Sequence, residues 1–536
     1  MFDLRLQAGT SRFLPGRTTS TWGANGAYLG PTLHASRGDK VRINVTNTLG
    51  EATTIHWHGM HLPARADGGP HQPIAPGATW SPTWTIDQPA ATFWYHPHPH
   101  GETEDHVYRG LSGLFLIDDP QGRALPLPKR YGVDDLPVII QDKRFRADGS
   151  LGGGKLGTDI LINGTYDPHV DVGTQLVRFR LLNASSARSY DVGFTDDRAF
   201  DLIATDGGLL DVPYHLNRVP LSPGERAEIV AAFEPGERVA LRSFQPDLGE
   251  NFLPARFDGG DDTFDLLQVR AAGRLRGSAA VPARLAHHDV LNEAGAATTR
   301  RIRITSSSSI DGKSMDMGRI DQVVTVGTTE IWEVRNQTGS LHNFHVHDVQ
   351  FKVLAWRGGP PPPYLAGWKD TVALPPGQSV RFLTRFSDYA DPSTPYMFHC
   401  HLLRHEDEGS WASSSSCSRP RPPGSRRRTS TRADPPWSPS SCGGARLDAL
   451  WGGTQESETI SGFPPAPGRR GGGLRRQRDR SRPDPAYHRV DRQDLHPLDD
   501  RGHPADHRRR AVAHGIDGPR GRRAPPLLVA ATWLLG

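Results

Sequence analysis

Four short clusters of histidine punctuate the chain: His56-Trp57-His58, His96-Pro97-His98, His342-Asn343-Phe344-His345-Val346-His347 and His399-Cys400-His401-Leu402-Leu403-Arg404-His405. Together they hold ten histidines and one cysteine. A His-x-His spacing sets two imidazoles on one face of an extended strand, because side chains alternate along it. Imidazole suits copper, zinc, iron and nickel, and a thiolate adds a soft ligand that favours copper. A His-His-Cys set with a weak axial ligand is the donor set of a blue-copper electron-transfer centre. Cys400 and His405 share one loop, and His342 can reach them from a separate strand. His399 and His401 point the other way from Cys400, so they can serve a second site behind it, with a short through-bond route between the two. A single His-x-His is most often an ordinary pair of polar strand residues. Four clusters, one of them carrying a cysteine, argue for a multi-metal site. Zinc is the competing chemistry, but structural zinc takes four ligands in a closed tetrahedron, often rich in cysteine. The pattern here matches no such spacing.

The arrangement resembles the multicopper oxidases, a family that includes the laccases and cuprous oxidases. The resemblance implies four copper ions. His342, Cys400 and His405 would hold the mononuclear blue copper. His56 and His345 would hold the type 2 copper, and His58, His96, His98, His347, His399 and His401 the coupled type 3 pair. It further implies that small-molecule electrons enter at the blue copper and that dioxygen is reduced to water at the other three. Asp67, in Ala66-Asp67-Gly68-Gly69-Pro70, matches an acidic position that the family places near the type 2 copper, and Glu406 matches a second proposed proton donor. A carboxylate relay suits a reaction that consumes protons. Asp348 is a weaker candidate for orienting an imidazole. His61, His71, His100 and His106 match no ligand position and read as loop residues or supports.

Around these clusters the sequence reads as all-β. Lys40–Asn47, Leu176–Asn183 and Glu330–Asn336 are alternating or apolar strands that end in Asn, and each is followed by a Pro-Gly turn, at Pro76-Gly77, Pro223-Gly224 and Pro376-Gly377. This triple recurrence points to three copies of one β-sandwich. The resemblance implies consecutive cupredoxin-like Greek-key sandwiches, placed here at residues 1–122, 123–275 and 290–411. The first and third must meet to join their clusters. The middle unit carries no metal motif and reads as a spacer and wall.

The composition adds bounds. The chain has 536 residues, a formal net charge of +4 and only three cysteines, Cys400, Cys417 and Cys442, so no disulfide framework is implied. No run is long enough to cross a membrane, and the first residues read as a strand rather than a secretory signal. Similar oxidases are often exported, so a periplasmic or extracellular location is expected, with the start of the protein upstream. The expected partners are a reducing small molecule and dioxygen, with no nucleic acid, and the chain is expected to be a monomer.

After Gly409 the pattern breaks. The resemblance calls for a final apolar strand, but the chain reads Ser410-Trp411-Ala412-Ser413-Ser414-Ser415-Ser416-Cys417, and residues 412–536 contain no lysine. GC-rich codons for this stretch, shifted by one base, read Met-Gly-Gln-Phe-Val-Val-Val-Leu-Ala-Pro, which is the expected strand. The expectation is therefore a frameshift near codon 410, a third sandwich lacking its last strand, and a disordered, out-of-frame tail over 412–536. The competing reading is a genuine, disordered basic extension that binds nucleic acid or an acidic surface. Ser410 also falls at the axial position of the blue copper, where the family carries Met, Leu or Phe.

With five methionines and no Met-rich insert, the sequence fits an oxidase of phenols or aromatic amines better than a dedicated cuprous oxidase, and Met315 and Met317 read as packing residues. Three other readings stand beside the oxidase: a non-catalytic protein on the same fold, such as a division or assembly factor; a copper-storage or resistance protein; and an oxidase made inactive by its altered C-terminus. Relatives of the first kind characteristically lack the histidine clusters.

Overall fold

The computed structural model describes residues 1–288 and 290–418. The Arg/Pro/Gly/Ser-rich tail from residue 419 lies outside the described residues. Strands dominate, and the described helices are short, the longest being Thr103–Arg109.

Three hydrophobic cores follow one another along the chain, each enclosed by two sheets. The first gathers Leu4, Ile43, Trp57, Phe93 and Phe115; the second Val138, Phe179, Phe194, Ile229 and Val269; the third Ile302, Trp332, Phe344, Phe382 and Phe398. Alternation explains the packing: in Lys40–Asn47, Val41, Ile43 and Val45 are buried while Lys40 and Arg42 face water. The expectation of three successive sandwiches holds.

The pairing repeats too. In one sheet of each sandwich a strand runs parallel to the strand that ends in Asn: Phe2–Ser11 with Lys40–Asn47, Asp135–Lys143 with Leu176–Asn183, and Thr298–Ser306 with Thr328–Asn336. The asparagines make the same clamp three times. Asn47 donates to the carbonyls of Glu51 and Ile74, Asn183 to those of Arg188 and Leu221, and Asn336 to those of Ser340 and Leu374. The side-chain oxygen of each accepts a backbone N–H two residues on. This side-chain turn geometry ties the strand end to the loop that carries the next histidine or its counterpart.

In the second sheet of each sandwich the closing strand also pairs in parallel: Gly113–Asp118 with Leu33–Ser36, Phe264–Arg276 with His169–Thr174, and Trp411–Cys417 with Gln322–Thr325. This corrects the expectation that the last strand is missing and that the third sandwich stops at 411. Trp411–Cys417 lies between Gln322–Thr325 and Asp391–His399. Backbone N–H and C=O groups pair whatever the side chains are, so the ladder closes without apolar residues. The slot is nonetheless a buried one: Ser413, Ser414, Ser415 and Ser416 are each at most 3% exposed, where the first sandwich places Leu114, Phe115, Leu116 and Ile117.

Candidate metal centre

Two edges converge on one buried space. The first sandwich supplies the paired strands His56–His58 and Ala91–His96, in register at His56↔His96. The third supplies His342–Val346 and Asp391–His399, in register at His345↔His399. His56, His58, His96, His98, His345, His347, His399 and His401 are all buried, and their rings form a closed set of contacts. His56 stacks on His347 at 3.9 Å between centroids and His58 on His345 at 3.7 Å. The structure thus brings together all eight histidines drawn from clusters that lie up to 345 positions apart (56 to 401).

The hydrogen bonds decide which nitrogen faces inward. His347 Nδ1 lies 2.8 Å from Asp67 Oδ2, His56 Nδ1 3.0 Å from the Asp67 carbonyl, His96 Nδ1 2.8 Å from the Pro97 carbonyl, His345 Nδ1 2.9 Å from the Asp370 carbonyl and His399 Nδ1 3.1 Å from the Cys400 carbonyl. His58 is turned the other way, with Nε2 3.1 Å from both Asp370 Oδ1 and Thr371 Oγ1. Oxygen acceptors on the outer side require the ring to donate there. A neutral imidazole has one N–H, so the inner nitrogen of each of these rings keeps a bare lone pair. Two of these pairs oppose each other, His347 Nε2 at 3.2 Å from His399 Nε2 and His96 Nε2 at 3.4 Å from His58 Nδ1, while His98 Nε2 and His401 Nε2 close in at 3.2 Å from His399 Nε2 and 3.4 Å from His96 Nε2. His56 Nε2 and His345 Nε2 are buried with no partner at all. Opposed lone pairs in a buried space are costly unless a cation or another hydrogen-bond donor lies between them. The residues present therefore fit metal ions, and the tight groups His98/His347/His399 and His56/His345/His347 have ligand atoms within 4.8 Å of one another.

Electrostatics agree with neutral, lone-pair-bearing rings. Burial holds His58, His96, His98, His345, His347 and His401 well below the ordinary imidazole value, and neighbouring imidazoles push in the same direction.

A second group lies beside the first. His342 Nδ1 is 3.2 Å from Cys400 Sγ, and His405 Nδ1 is 3.7 Å from it. Burial draws His342 down to about 3 and His405 to about 4, and pushes the Cys400 thiol up to about 12. A metal ion reverses the last effect by binding the thiolate. Asn343 braces the junction, its Oδ1 accepting from the His401 N–H at 2.6 Å and from Cys400 Sγ at 3.7 Å. Ser410 N–H bonds the His405 carbonyl, its own carbonyl accepts from Cys400, and its buried Oγ has no partner.

Of the expected acids, Asp67 touches two rings, as described, and its Oδ1 is buried without a hydrogen-bond partner. Glu406 is fully buried, with its carboxylate 3.3 Å from His98 Nδ1 and 3.2 Å from His399 Nδ1, neither in hydrogen-bonding geometry. Asp348 holds no cluster histidine: its Oδ1 lies 2.8 Å from His61 Nδ1, and His61 Nε2 reaches Asp388 at 2.6 Å. His71 bonds the Met317 carbonyl, His106 pairs with Thr53 and Glu51, and His100 stacks on Trp411.

Four contacts escaped the sequence reading. Asp370 and Thr371 hold His58, Asn343 braces Cys400, and Gly224 of the middle sandwich packs so closely that a Cβ would lie 3.1 Å from His401 Nδ1. No motif marks Asp370 or Asn343. Gly224 was visible only as a turn residue.

Comparison with known proteins follows the same lines. Sequence models of the multicopper oxidase family match residues 5–122 and 284–414. The chain is 38% identical over 409 residues to the cell division protein FtsP of Edwardsiella tarda, spanning 74% of this chain and 86% of that one. It is 34% identical over 423 residues to the multicopper oxidase mco of Staphylococcus haemolyticus, spanning 76% and 86%. Among solved structures, the laccase-like multi-copper oxidase CueO of Ochrobactrum sp. superposes with a TM-score of 0.71 at 33% identity, over 77% of this chain and 96% of that one. McoA of Aquifex aeolicus gives 0.71 at 31% identity, over 78% and 96%.

Proposed function

Because the chain belongs to the multicopper oxidase family, we propose that it oxidises phenols, aromatic amines or metal ions one electron at a time and passes four electrons to dioxygen, which takes up four protons to give two waters. His342, Cys400 and His405 would hold one copper, His58, His96 and His401 with His98, His347 and His399 a coupled pair, and His56 with His345 a fourth. When bound, these ions supply the electron relay and the place where dioxygen is reduced. The chain's own residues supply the rest. Cys400 lies between His399 and His401, so covalent bonds join the two groups. Asp67 and the carbonyls around the rings fix the tautomers that leave lone pairs inward. Glu406, beside His98 and His399, and Asp67, beside His56 and His347, stand where protons are consumed.

The single observation that carries this reading is the set of buried imidazoles whose lone pairs face one another. The likeness to FtsP favours a second reading, a non-catalytic protein of cell division on the same fold. A complete set of ten histidines and one cysteine speaks for the oxidase. The test is copper content, blue thiolate absorption and oxygen uptake with a phenolic substrate, for the wild type and Cys400→Ser. An oxidase binds about four coppers, shows the blue band, consumes oxygen, and loses turnover with Cys400→Ser. A storage protein binds copper without consuming oxygen and keeps most of its capacity in the variant. A division protein without the chemistry binds little copper.

A further inference from the structure

The middle sandwich does more than separate the other two. Its Ser222–Arg226 turn reaches the metal centre, and the Arg226 side chain is fully buried. Arg226 Nη1 and Nη2 donate to Asp370 Oδ1 and Oδ2 at 2.7 and 2.6 Å, a two-pronged ion pair across the boundary between the second and third sandwiches. The guanidinium is itself fixed by the carbonyls of Thr92, Gly224 and Asp206. Asp206 accepts from the backbone N–H groups of Arg226, Asp370 and Thr371. Lys369 ties the same Asp206 to Glu225, at 3.0 and 2.9 Å. The far side of Asp370 meets the first sandwich, where Oδ1 takes the His58 Nε2–H at 3.1 Å. One carboxylate therefore links all three sandwiches.

That link has a chemical consequence. Among the six rings whose outer nitrogen bonds an oxygen acceptor, His58 alone turns Nδ1 inward. A side-chain carboxylate and a hydroxyl hold it there, whereas His56, His96, His345 and His399 use a backbone carbonyl. Take away Asp370 and His58 Nε2 faces only the Thr371 hydroxyl, which can donate as well as accept, so the tautomer that keeps a lone pair inward is no longer fixed. Take away Arg226 and Asp370 loses the two-pronged partner that fixes its carboxylate against His58.

We propose that Asp370, anchored by Arg226 of the middle sandwich, is the positioning residue that sets the tautomer of His58, so that the middle sandwich determines metal retention at the coupled pair. The proposal rests on the copper-oxidase reading. It concerns the coupled pair alone; the His342/Cys400/His405 group lies on the other side of Asn343 and serves as internal control.

The experiment uses full-length protein loaded with copper, as wild type, Asp370→Ala and Asp370→Asn. Three readouts are taken: resistance of bound copper to a competing chelator, the near-ultraviolet absorption of the coupled pair, and the blue band. Thermal unfolding of the metal-free forms reports folding separately. Loss of a ligand's hydrogen-bond support typically weakens metal binding by about 10- to 100-fold. Asp370→Ala is expected to lose copper from the coupled pair that much more readily and to lose its absorption, with the blue band kept. Asp370→Asn keeps an acceptor for His58 but sets an amide N–H₂ against Arg226, so its loss is several-fold, between alanine and wild type. A folded Asp370→Ala with wild-type retention and absorption would overturn the proposal. If the alanine variant does not fold, the asparagine variant decides, and wild-type retention there overturns it too. A wild type that holds a blue band but no coupled pair would remove the oxidase reading itself, whereas a normal wild type with indifferent variants removes only this inference.

Discussion

The metal-free protein is expected to lose stability steeply in mild acid, and copper to prevent it. Free imidazoles titrate near about 6.5. In the fold, burial holds His58, His96, His98, His345, His347 and His401 well below that value, and draws His342 and His405 to about 3 and about 4. As pH falls below about 6.5 the unfolded chain takes up protons that the folded chain refuses, so the equilibrium moves toward unfolding. Stability from this source is intact above about 6.5 and is lost progressively as pH drops toward the folded-state values near 4 for His405 and 3 for His342. At pH 5.5 His342 and His405, drawn to about 3 and about 4, cost about 1.4 kcal/mol each against a net stability of about 5–15 kcal/mol, and the six rings held low by burial act in the same direction. Copper occupies the inward lone pairs, so protons must displace a metal before they can act. Urea midpoints at pH 7.5 and 5.5, with and without copper, measure this directly. A metal-free midpoint that does not move between the two pH values would refute the reasoning, as would an equal loss in the copper-loaded protein.

Three further outcomes follow from the same geometry. Asp67→Asn and Glu406→Gln are expected to lower turnover by about 10²-fold, a typical size for a lost proton-transferring group, with the blue band kept; steady-state oxygen uptake alongside copper content checks this. Gly224→Ala puts a methyl group 3.1 Å from the His401 ring on a backbone with φ of +87°, where only glycine is relaxed. Copper at the coupled pair should fall while the His342/Cys400/His405 absorption stays, read by copper analysis and spectroscopy on one sample. Replacing Ser414, Ser415 and Ser416 by Phe, Val and Val should raise the thermal midpoint, because each buried CH₂ gained is worth about 0.8 kcal/mol; an unchanged or lower midpoint would show the slot is shaped for serine.

Much of the fold was legible because its signals are local. Alternation in Lys40–Asn47 gives a strand, and asparagine followed by a Pro-Gly turn recurs once per sandwich. The ligand clusters were legible for a related reason: the His-x-His period matches the strand period, so spacing alone puts two rings on one face. Contacts between residues far apart in sequence left no such trace. Arg226 and Asp370 are 144 positions apart, and nothing in Gly224-Glu225-Arg226 or Lys369-Asp370-Thr371 distinguishes a buried ion pair from ordinary strand-end charges. Asp348 shows the opposite error. Adjacency to His347 suggested a support for that ring, but the strand ends at Val346 and the left-handed backbone of Asp348, with φ of 70°, turns its side chain to His61 instead.

The closing strand shows how backbone and side chain can disagree. Parallel pairing with Gln322–Thr325 makes Trp411–Cys417 the counterpart of Gly113–Asp118, so topology demands a strand there and a ladder forms. The counterpart fills its slot with Leu114-Phe115-Leu116-Ile117; this one fills it with four serines and leaves the Ser410 hydroxyl and the Trp411 indole N–H buried without partners. Ser413 donates to the Arg319 carbonyl, and Ser416 donates to the Tyr389 carbonyl and accepts from the Asp391 N–H, but serines in a slot built for aliphatic groups forfeit apolar transfer free energy at every position. A one-base shift near codon 410 supplies Phe and Val at those same positions, which fit the slot in size and polarity. We propose that the residues after Gly409 come from a displaced reading frame; intact in-frame codons around position 410 in the DNA would refute it. The metal ligands all lie before the shift, so the displaced frame leaves the donor set whole and takes only the axial position at Ser410 and the strand that backs Cys400. Copper affinity and the blue-copper potential should therefore separate: the first follows the intact histidines, the second the altered axial residue.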